Sequence, residues 1–245
     1  MRVLERIFGR GDGPTPRQLR RALKQVIQTH GDAAVRVGAM ERLASWGTAD
    51  AIATLLRRFT IQVPQGSMDQ EEKQYTVRLI AQVGAPAVAP ILQYLKSESE
   101  VTWPARALKE ILPFEEYCAA MQEVLEALSS GYSRWPEAKA VLIQQLPVDA
   151  GSRFKDTVFE FLHDEDDDVC ITAIDHLART SDEQTREQLL EIFLNSESRP
   201  RVRGRILDHF CEHEWAVKGY RKRMEEAIAD PFYLTSKGTV KRRAL

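Results

Sequence analysis

The chain has 245 residues, 43% of them hydrophobic, which is enough for a substantial core in one long domain or two ordinary ones. Its 34 basic and 36 acidic residues leave a formal net charge of -2, so no global field attracts nucleic acid or anionic membranes. Three widely spaced cysteines, Cys118, Cys170 and Cys211, argue against a disulfide framework and for reduced thiols. We therefore expect a cytoplasmic protein whose binding properties come from local patches.

Residues 1–14 form a basic N-terminal segment that ends in a glycine-rich linker. Within residues 1–10, apolar residues and arginines make a short amphipathic pattern, which predicts at most weak contact with a membrane surface or a partner groove. We favour a capping or frayed segment, because a helix of roughly two turns is marginal on its own. The sequence contains no apolar run of the roughly 18 residues that a membrane span needs, and none that fits a secretory signal.

The chain from Thr15 onward predicts an all-α fold, because apolar residues recur at helical spacing and no convincing alternating strand is found. In the first half, the predicted helices cover residues 19–31, 35–47, 52–59 and 75–83. A longer loop is predicted over residues 61–69, which contain Pro64 and Gly66. Gly47 and Gly84 follow two of these helices and are expected to end them.

The second half of the chain continues the same rhythm of paired helices. The predicted pairs are 88–95 with 108–112, 121–128 with 142–146, 154–162 with 169–178, and 189–193 with 202–210. A last helix over residues 215–229 is expected to cover the open end. Residues 230–245 form a basic tail, in which we expect the aromatic half to dock on the last repeat and the basic end to stay mobile. Binding of an acidic partner by this tail is the alternative.

A decapeptide pattern recurs in the chain. Residues 35–44 and 169–178 both follow Val-x-x-x-Ala-(Met/Ile)-(Glu/Asp)-x-Leu-Ala. Val-Arg pairs recur at residues 35–36, 77–78 and 202–203, and small alanines stand where helices would approach closely. One helical face repeated at long period indicates stacked helical units. On these residues the chain resembles the HEAT-repeat family and the related armadillo-like superhelices over roughly residues 15–212.

The resemblance implies a right-handed α-α superhelix, a HEAT-like solenoid of about six helix pairs plus a capping helix. This repeat domain would cover residues 15–229, between the N-terminal segment 1–14 and the tail 230–245. Tetratricopeptide repeats are the structural alternative, but their Trp-Leu-Gly-Tyr pattern is not evident. In the HEAT family the second helices of the pairs line a concave wall, where an elongated partner would lie.

Two aromatic residues on this implied wall are each followed, three residues later, by an arginine. Tyr75 with Arg78 and Trp103 with Arg106 are the same arrangement on neighbouring helices. An aromatic face beside a planar guanidinium can hold a carboxylate, a phosphate or a peptide side chain. The alternative is that Trp103 packs in the first turn of its helix and the arginines are simply solvated. The full set of predicted contact residues is Arg42, Tyr75, Arg78, Trp103, Arg106, His176, Arg179, Arg205 and His209.

Two other groups of residues invite a metal site. The acidic run Asp164–Asp168 lacks the spaced loop, glycine and closing glutamate of an EF-hand, so we predict a cap for a helix that begins near Asp167. His209 and His213 stand four apart around Cys211, a spacing that can place two ring nitrogens on one side of a helix for zinc. No second ligand cluster accompanies them in the sequence, so we expect a surface histidine pair without metal.

We predict a non-enzymatic scaffold or adaptor, without a cofactor, that binds a protein or peptide of acidic character; the sequence leaves its oligomeric state open. The alternative is an enzyme on the same architecture, similar to the alkylpurine DNA glycosylases or the phycobilin lyases, with Asp175 as the carboxylate of the groove. The near-neutral charge makes nucleic acid an unlikely partner. A third class is regulation of a complex at a membrane or on a filament, with both termini as secondary contacts.

Overall fold

The structure, a computed structural model, describes residues 13–129, 134–179 and 182–243. In this part the chain forms thirteen α-helices and two short strands, so the predicted predominance of helix is confirmed. The amphipathic pattern of residues 1–10 lies outside the described residues. The chain divides into two compact units, which we call unit 1 (Met1–Ala120) and unit 2 (Met121–Leu245).

Unit 1 consists of helix pairs packed in two rows. Its helices are α1 (Pro16–Val26), α2 (Ala33–Trp46), α3 (Ala49–Leu56), α4 (Gly66–Val83), α5 (Val88–Leu95) and α6 (Thr102–Ile111). Helices α1, α3 and α5 pack in sequence as one row, and α2, α4 and α6 pack in sequence as the other. A further helix, α7 (Phe114–Ser129), runs from the end of unit 1 into unit 2. The first and second helices of the predicted pairs thus fall into separate rows.

The ends of these helices follow from local chemistry. Thr15 and Gln18 form a capping box at the start of α1. Gly47 ends α2 in the left-handed region, with φ 61°, which residues with a Cβ rarely adopt. The predicted loop 61–69 is shorter than expected, because α4 already begins at Gly66. The first turns of α4 are helical because they bury charged side chains against α2 and the end of α3.

A buried network of five charged side chains lies in the centre of unit 1. Arg36 and Arg58 are 2% and 0% exposed, respectively. Arg36 donates to both carboxylate oxygens of Glu72, from Nε at 3.0 Å and from Nη2 at 2.7 Å. Arg58 donates from Nε to Glu72 Oε2 at 3.0 Å and from Nη2 to Asp69 Oδ1 at 2.8 Å. Lys73 Nζ completes the network at 2.9 Å from Asp69 Oδ2.

The network also satisfies backbone groups between the helices. Arg36 Nη1 donates to the carbonyl of Gly31, in the α1–α2 connection, at 2.7 Å. Arg58 Nη1 donates to the carbonyl of Ile61, after the 3-10 turn that extends α3, at 3.3 Å. The two guanidinium groups therefore link α2 and α4 with two connecting segments. Buried charges need such hydrogen bonds to offset the loss of hydration.

Electrostatics within the network favour the charged forms. Hydrogen bonding to Glu72 raises the pKa of Arg36 above its ordinary value, against the opposing effect of burial. Burial alone would raise the pKa of Asp69, but the hydrogen bonds from Lys73 and Arg58 outweigh it and lower that pKa. Asp69 therefore serves as an acceptor for Arg58 at neutral pH.

Within the described residues, no single helix has the length and apolar character of a membrane span. Helix α4 and the segment Ala85–Leu95 reach the length and apolar character of a span only when they are taken together, and they meet at a bend of 116°.

Unit 2 also consists mainly of helices. Its elements are α8 (Pro136–Gln144), α9 (Gly151–Glu160), α10 (Asp167–Ala178), α11 (Glu183–Asn195), α12 (Pro200–Glu212), α13 (Arg221–Ala227), β1 (Phe232–Leu234) and β2 (Val240–Arg242). Helix α10 packs between α8 and α12, while α9 contacts α10 and α11 contacts α12. Asp166 caps α10 by accepting from the backbone N–H groups of Asp168 and Val169, at 2.9 and 3.2 Å. The predicted acidic cap is therefore confirmed.

The C-terminal segment folds into a short antiparallel hairpin that the helical pattern did not predict. Phe232 pairs with Arg242, and Leu234 pairs with Val240, which is fully buried. Strand β2 also packs against α12. Helix α13 is shorter than the predicted capping helix 215–229, because Trp215 precedes it and packs edge-to-face on Phe210 with ring centroids 5.2 Å apart.

The basic end of this segment, where we expected a mobile tail, forms ion pairs with neighbouring carboxylates. Lys241 Nζ lies 2.6 Å from a carboxylate oxygen of Glu214. Arg243 Nη1 donates to Asp230 at 2.7 Å. These surface ion pairs contribute little stability individually, and they lie beside the paired strands β1 and β2.

His176 is a buried titratable group in α10. Its side chain is 3% exposed, and neither ring nitrogen has a hydrogen-bond partner among the described residues. Burial, assisted by the charge of Arg179, lowers the pKa of this imidazole to about 4. His176 is therefore neutral in the folded chain over the physiological range.

We expect the substitution Glu72→Gln to lower the free energy of unfolding by about 3–5 kcal/mol, because two buried guanidinium groups lose their shared counter-charge. Urea unfolding followed by circular dichroism measures this change. Glu71→Gln, at an exposed position on the same helix, is the control, with an expected change within about 0.5 kcal/mol. Equal unfolding midpoints for the two variants would contradict a structural role for the network.

We also expect His176 to make the folded state less stable in acid. As the pH falls from 7 to 4.5, unfolded His176 gains a proton near its ordinary pKa of 6.5, while the folded side chain does so only near 4. The unfolded state then binds more protons, so stability falls with pH. His176→Leu should lose about 2–3 kcal/mol less than the wild type over this interval. Chemical unfolding at a series of pH values measures this change, and an equal pH dependence for His176→Leu and the wild type would contradict it.

Candidate functional site

The candidate site lies on the row α2–α4–α6 of unit 1. On α4, the buried side chains of Thr76, Val77 and Ile80 face the core. Tyr75 and Arg78 stand three residues apart on another face, where Tyr75 is half-buried and Arg78 is exposed. The packing of α4 therefore directs this pair away from the core.

The second pair has the same arrangement on α6. Ala105 and Leu108 are fully buried, whereas Trp103 is half-buried and Arg106 is exposed. Trp103 stands in the first turn of α6, next to the buried Pro104. It therefore combines partial packing, as in the alternative prediction, with an accessible ring surface.

Each arginine lies over the aromatic ring that precedes it. The distance from Arg78 Cζ to the centre of the Tyr75 ring is 5.6 Å, and the distance from Arg106 Cζ to the centre of the Trp103 ring is 4.9 Å. Both distances fall within the range of about 6 Å for a cation–π interaction. Neither guanidinium forms an ion pair with the residues that the structure describes. We call these four residues the α4–α6 arginine surface.

Helix α2 extends this surface on one side. The Tyr75 hydroxyl donates to Glu41 Oε1 at 2.7 Å. This hydrogen bond to a carboxylate raises the pKa of the Tyr75 phenol. Arg42, also exposed, donates from Nη2 to Gln25 Oε1 at 2.7 Å. The predicted contact set omitted Glu41, because a lone glutamate on a helix carries no signal of its partner 34 residues away.

The remaining predicted residues belong to unit 2 and have other surroundings. Arg205 Nε donates to Asp175 Oδ1 at 2.5 Å, and His209 Nε2 lies 2.8 Å from the same oxygen. Burial alone would raise the pKa of Asp175, but hydrogen bonds from His209 and Arg205 lower it. His176 is buried and offers no surface to a partner, while Arg179 is exposed.

The histidines at the end of α12 differ from the expected surface pair. His209 is only 6% exposed, because it packs beside Asp175. The rings of His209 and His213 are stacked with centroids 5.8 Å apart. With Glu212, these histidines bring three possible metal-ligating atoms within 4.8 Å of one another. Glu212 offers a third possible ligand atom that the histidine spacing alone did not indicate.

A cavity of about 340 Å³ opens between α11, α12 and the segment that leads into β1. Arg203 lies at its wall, with Cζ 4.4 Å above the centre of the Phe193 ring, and also donates to the carbonyl of Ala227. Because this guanidinium already contacts the ring and the carbonyl, the cavity offers a ligand fewer free hydrogen-bond donors than the α4–α6 arginine surface.

Comparisons of the chain with protein-family models, with curated proteins and with solved structures find no match.

Proposed function

We propose that the chain is a non-enzymatic binding module that holds an acidic segment of a partner protein on the α4–α6 arginine surface. The observation that carries this proposal is the pair of exposed guanidinium groups, each fixed over an aromatic ring, on two helices that pack against each other. The HEAT-like architecture is part of the proposal, and the two rows of helices in unit 1 support it.

The geometry of each pair suits a carboxylate. A guanidinium that lies over a ring still has N–H groups to donate, and these groups match the two oxygens of a carboxylate. The ring also limits the motion of the arginine, so less conformational entropy is lost when a partner binds. Arg78 and Arg106 therefore form two prepared donor sites for acidic side chains.

A protein or peptide fits this surface better than a small molecule or nucleic acid. Tyr, Trp and Arg are the residues that most often dominate protein interfaces. Two adjacent sites, each an arginine over an aromatic ring, suit an extended chain with repeated acidic residues. The formal net charge of -2 provides no broad positive field of the kind that most nucleic-acid binding requires.

The enzyme alternative has less support. It required Asp175 as a carboxylate available to a substrate. In unit 2 one oxygen of that carboxylate, Oδ1, accepts hydrogen bonds from both Arg205 and His209. We therefore do not assign it a catalytic role.

Selection of peptides from a random display library against the full chain tests the proposal. We expect enriched peptides to contain Asp or Glu residues beside an apolar anchor. Arg78→Ala and Arg106→Ala should each weaken the binding of a selected peptide about tenfold, because each removes one carboxylate contact. Fluorescence anisotropy with a labelled peptide gives the dissociation constants.

Matched variants separate this contact from a general loss of charge. Arg106→Lys keeps the charge but loses the planar group, so it should bind the peptide with intermediate affinity. Arg20→Ala removes an exposed arginine from α1, in the other row, and should leave affinity unchanged. The proposal fails if the selected peptides lack acidic residues, or if the Arg20 variant loses as much affinity as the Arg106 variant. Binding of oligonucleotides that depends on Arg78 and Arg106 would instead assign the surface to nucleic acid.

A further inference from the structure

The end of α12 in unit 2 brings together side chains that the proposed binding function does not use. His209, Glu212 and His213 stand on one side of the last helical turn, and their possible ligating atoms lie within 4.8 Å of one another. His209 Nδ1 lies 3.7 Å from a carboxylate oxygen of Glu212. It is among the buried polar atoms that have no hydrogen-bond partner in the described part of the chain. An unpartnered buried polar atom is uncommon and calls for a physical explanation.

The contact with Asp175 determines which nitrogen of His209 carries the proton. Asp175 Oδ1 lies 2.8 Å from Nε2 and also accepts from Arg205 Nε at 2.5 Å. A carboxylate can only accept, so Nε2 must be the donor. In the neutral ring, Nδ1 then has a free lone pair, 3.7 Å from the Glu212 carboxylate. This is the tautomer and orientation that metal-binding histidines adopt when a carboxylate holds the opposite nitrogen.

The distances are compatible with a small divalent ion. Bonds of about 2.0–2.2 Å in tetrahedral geometry place ligand atoms about 3.3–3.5 Å apart. The separation of 3.7 Å between His209 Nδ1 and the Glu212 carboxylate is close to this value. Glu212 and His213 are exposed, so their side chains can turn about an ion without disturbing the core. The position at a helix C-terminus also favours a cation.

We propose that His209 Nδ1, the Glu212 carboxylate and a ring nitrogen of His213 bind one Zn²⁺ ion, with Asp175 as the group that positions His209. Nitrogen and carboxylate ligands suit zinc, and three protein ligands leave a fourth position for water or for a group of a binding partner. The ring of Trp215 stacks on His213, with centroids 4.8 Å apart, and limits where that ligand can turn. This site is independent of the α4–α6 arginine surface.

Isothermal titration calorimetry of the tag-free full chain with ZnCl₂ tests the site. We expect saturable binding with a stoichiometry of one. Glu212→Gln and His213→Gln should each weaken the affinity at least about tenfold, since each removes one ligand. Asp175→Asn should weaken it by about 10–100-fold, the usual effect of losing the partner of a ligating histidine. His163→Gln, an exposed histidine of the same unit, is the control and should bind like the wild type.

Two spectroscopic measurements keep the test informative if a variant is unstable. In the metal-free wild type, nitrogen-15 NMR should show His209 with its proton on Nε2, and Zn²⁺ should shift the Nδ1 resonance. Cu²⁺, which shares these ligands, should quench Trp215 fluorescence through the stacked His213, and Trp215→Phe should abolish that quenching. Absence of saturable Zn²⁺ binding, or equal affinities for the His213 and His163 variants, would overturn the proposal.

Discussion

Unit 1 depends on the carboxylate of Glu72, which accepts hydrogen bonds from two buried guanidinium groups. A buried arginine without a counter-charge is strongly unfavourable, so Arg36 and Arg58 can lie inside only if α4 presents Glu72 and Asp69 to them. This requirement sets the rotation of α4 about its own axis. Because all side chains of a helix turn together with it, the same rotation determines where Tyr75 and Arg78 point. The candidate binding surface is thus positioned by charges on the buried face of the same helix.

Unit 2 also has a carboxylate shared by two basic side chains, but with a different outcome. Asp175 holds Arg205 and His209, and one of its partners is a histidine rather than an arginine. An arginine has only hydrogen-bond donors, so no polar atom remains to be satisfied once these donors are paired. A neutral histidine that donates from Nε2 keeps a hydrogen-bond acceptor on Nδ1. The network around Glu72 therefore stabilises the fold, and the contact at Asp175 leaves a nitrogen prepared to bind.

Features that depend on neighbours along the chain could be predicted from the sequence, and features that depend on packing could not. Helical spacing located the helices and the pairs on α4 and α6, whose members lie within one turn, and the acidic run Asp164–Asp168 predicted the cap of α10. Arg36 and Glu72 are 36 positions apart, so no local pattern could connect them. The burial of His209 follows from its contact with another helix. Strands of three residues are too short for an alternating pattern to be recognised.

The near-zero net charge of the chain hides the distribution of its charged groups. Many of its cations are paired with neighbouring carboxylates, as Arg57 is with Glu98 at 2.5 Å, and such pairs cancel in the local field as well as in the total. Arg78 and Arg106 are held by aromatic rings, which fix a guanidinium in place without neutralising it. A ring partner therefore leaves the charge available to a carboxylate of another molecule. This difference between ionic and aromatic partners allows a nearly neutral protein to keep exposed cationic groups close together on one surface.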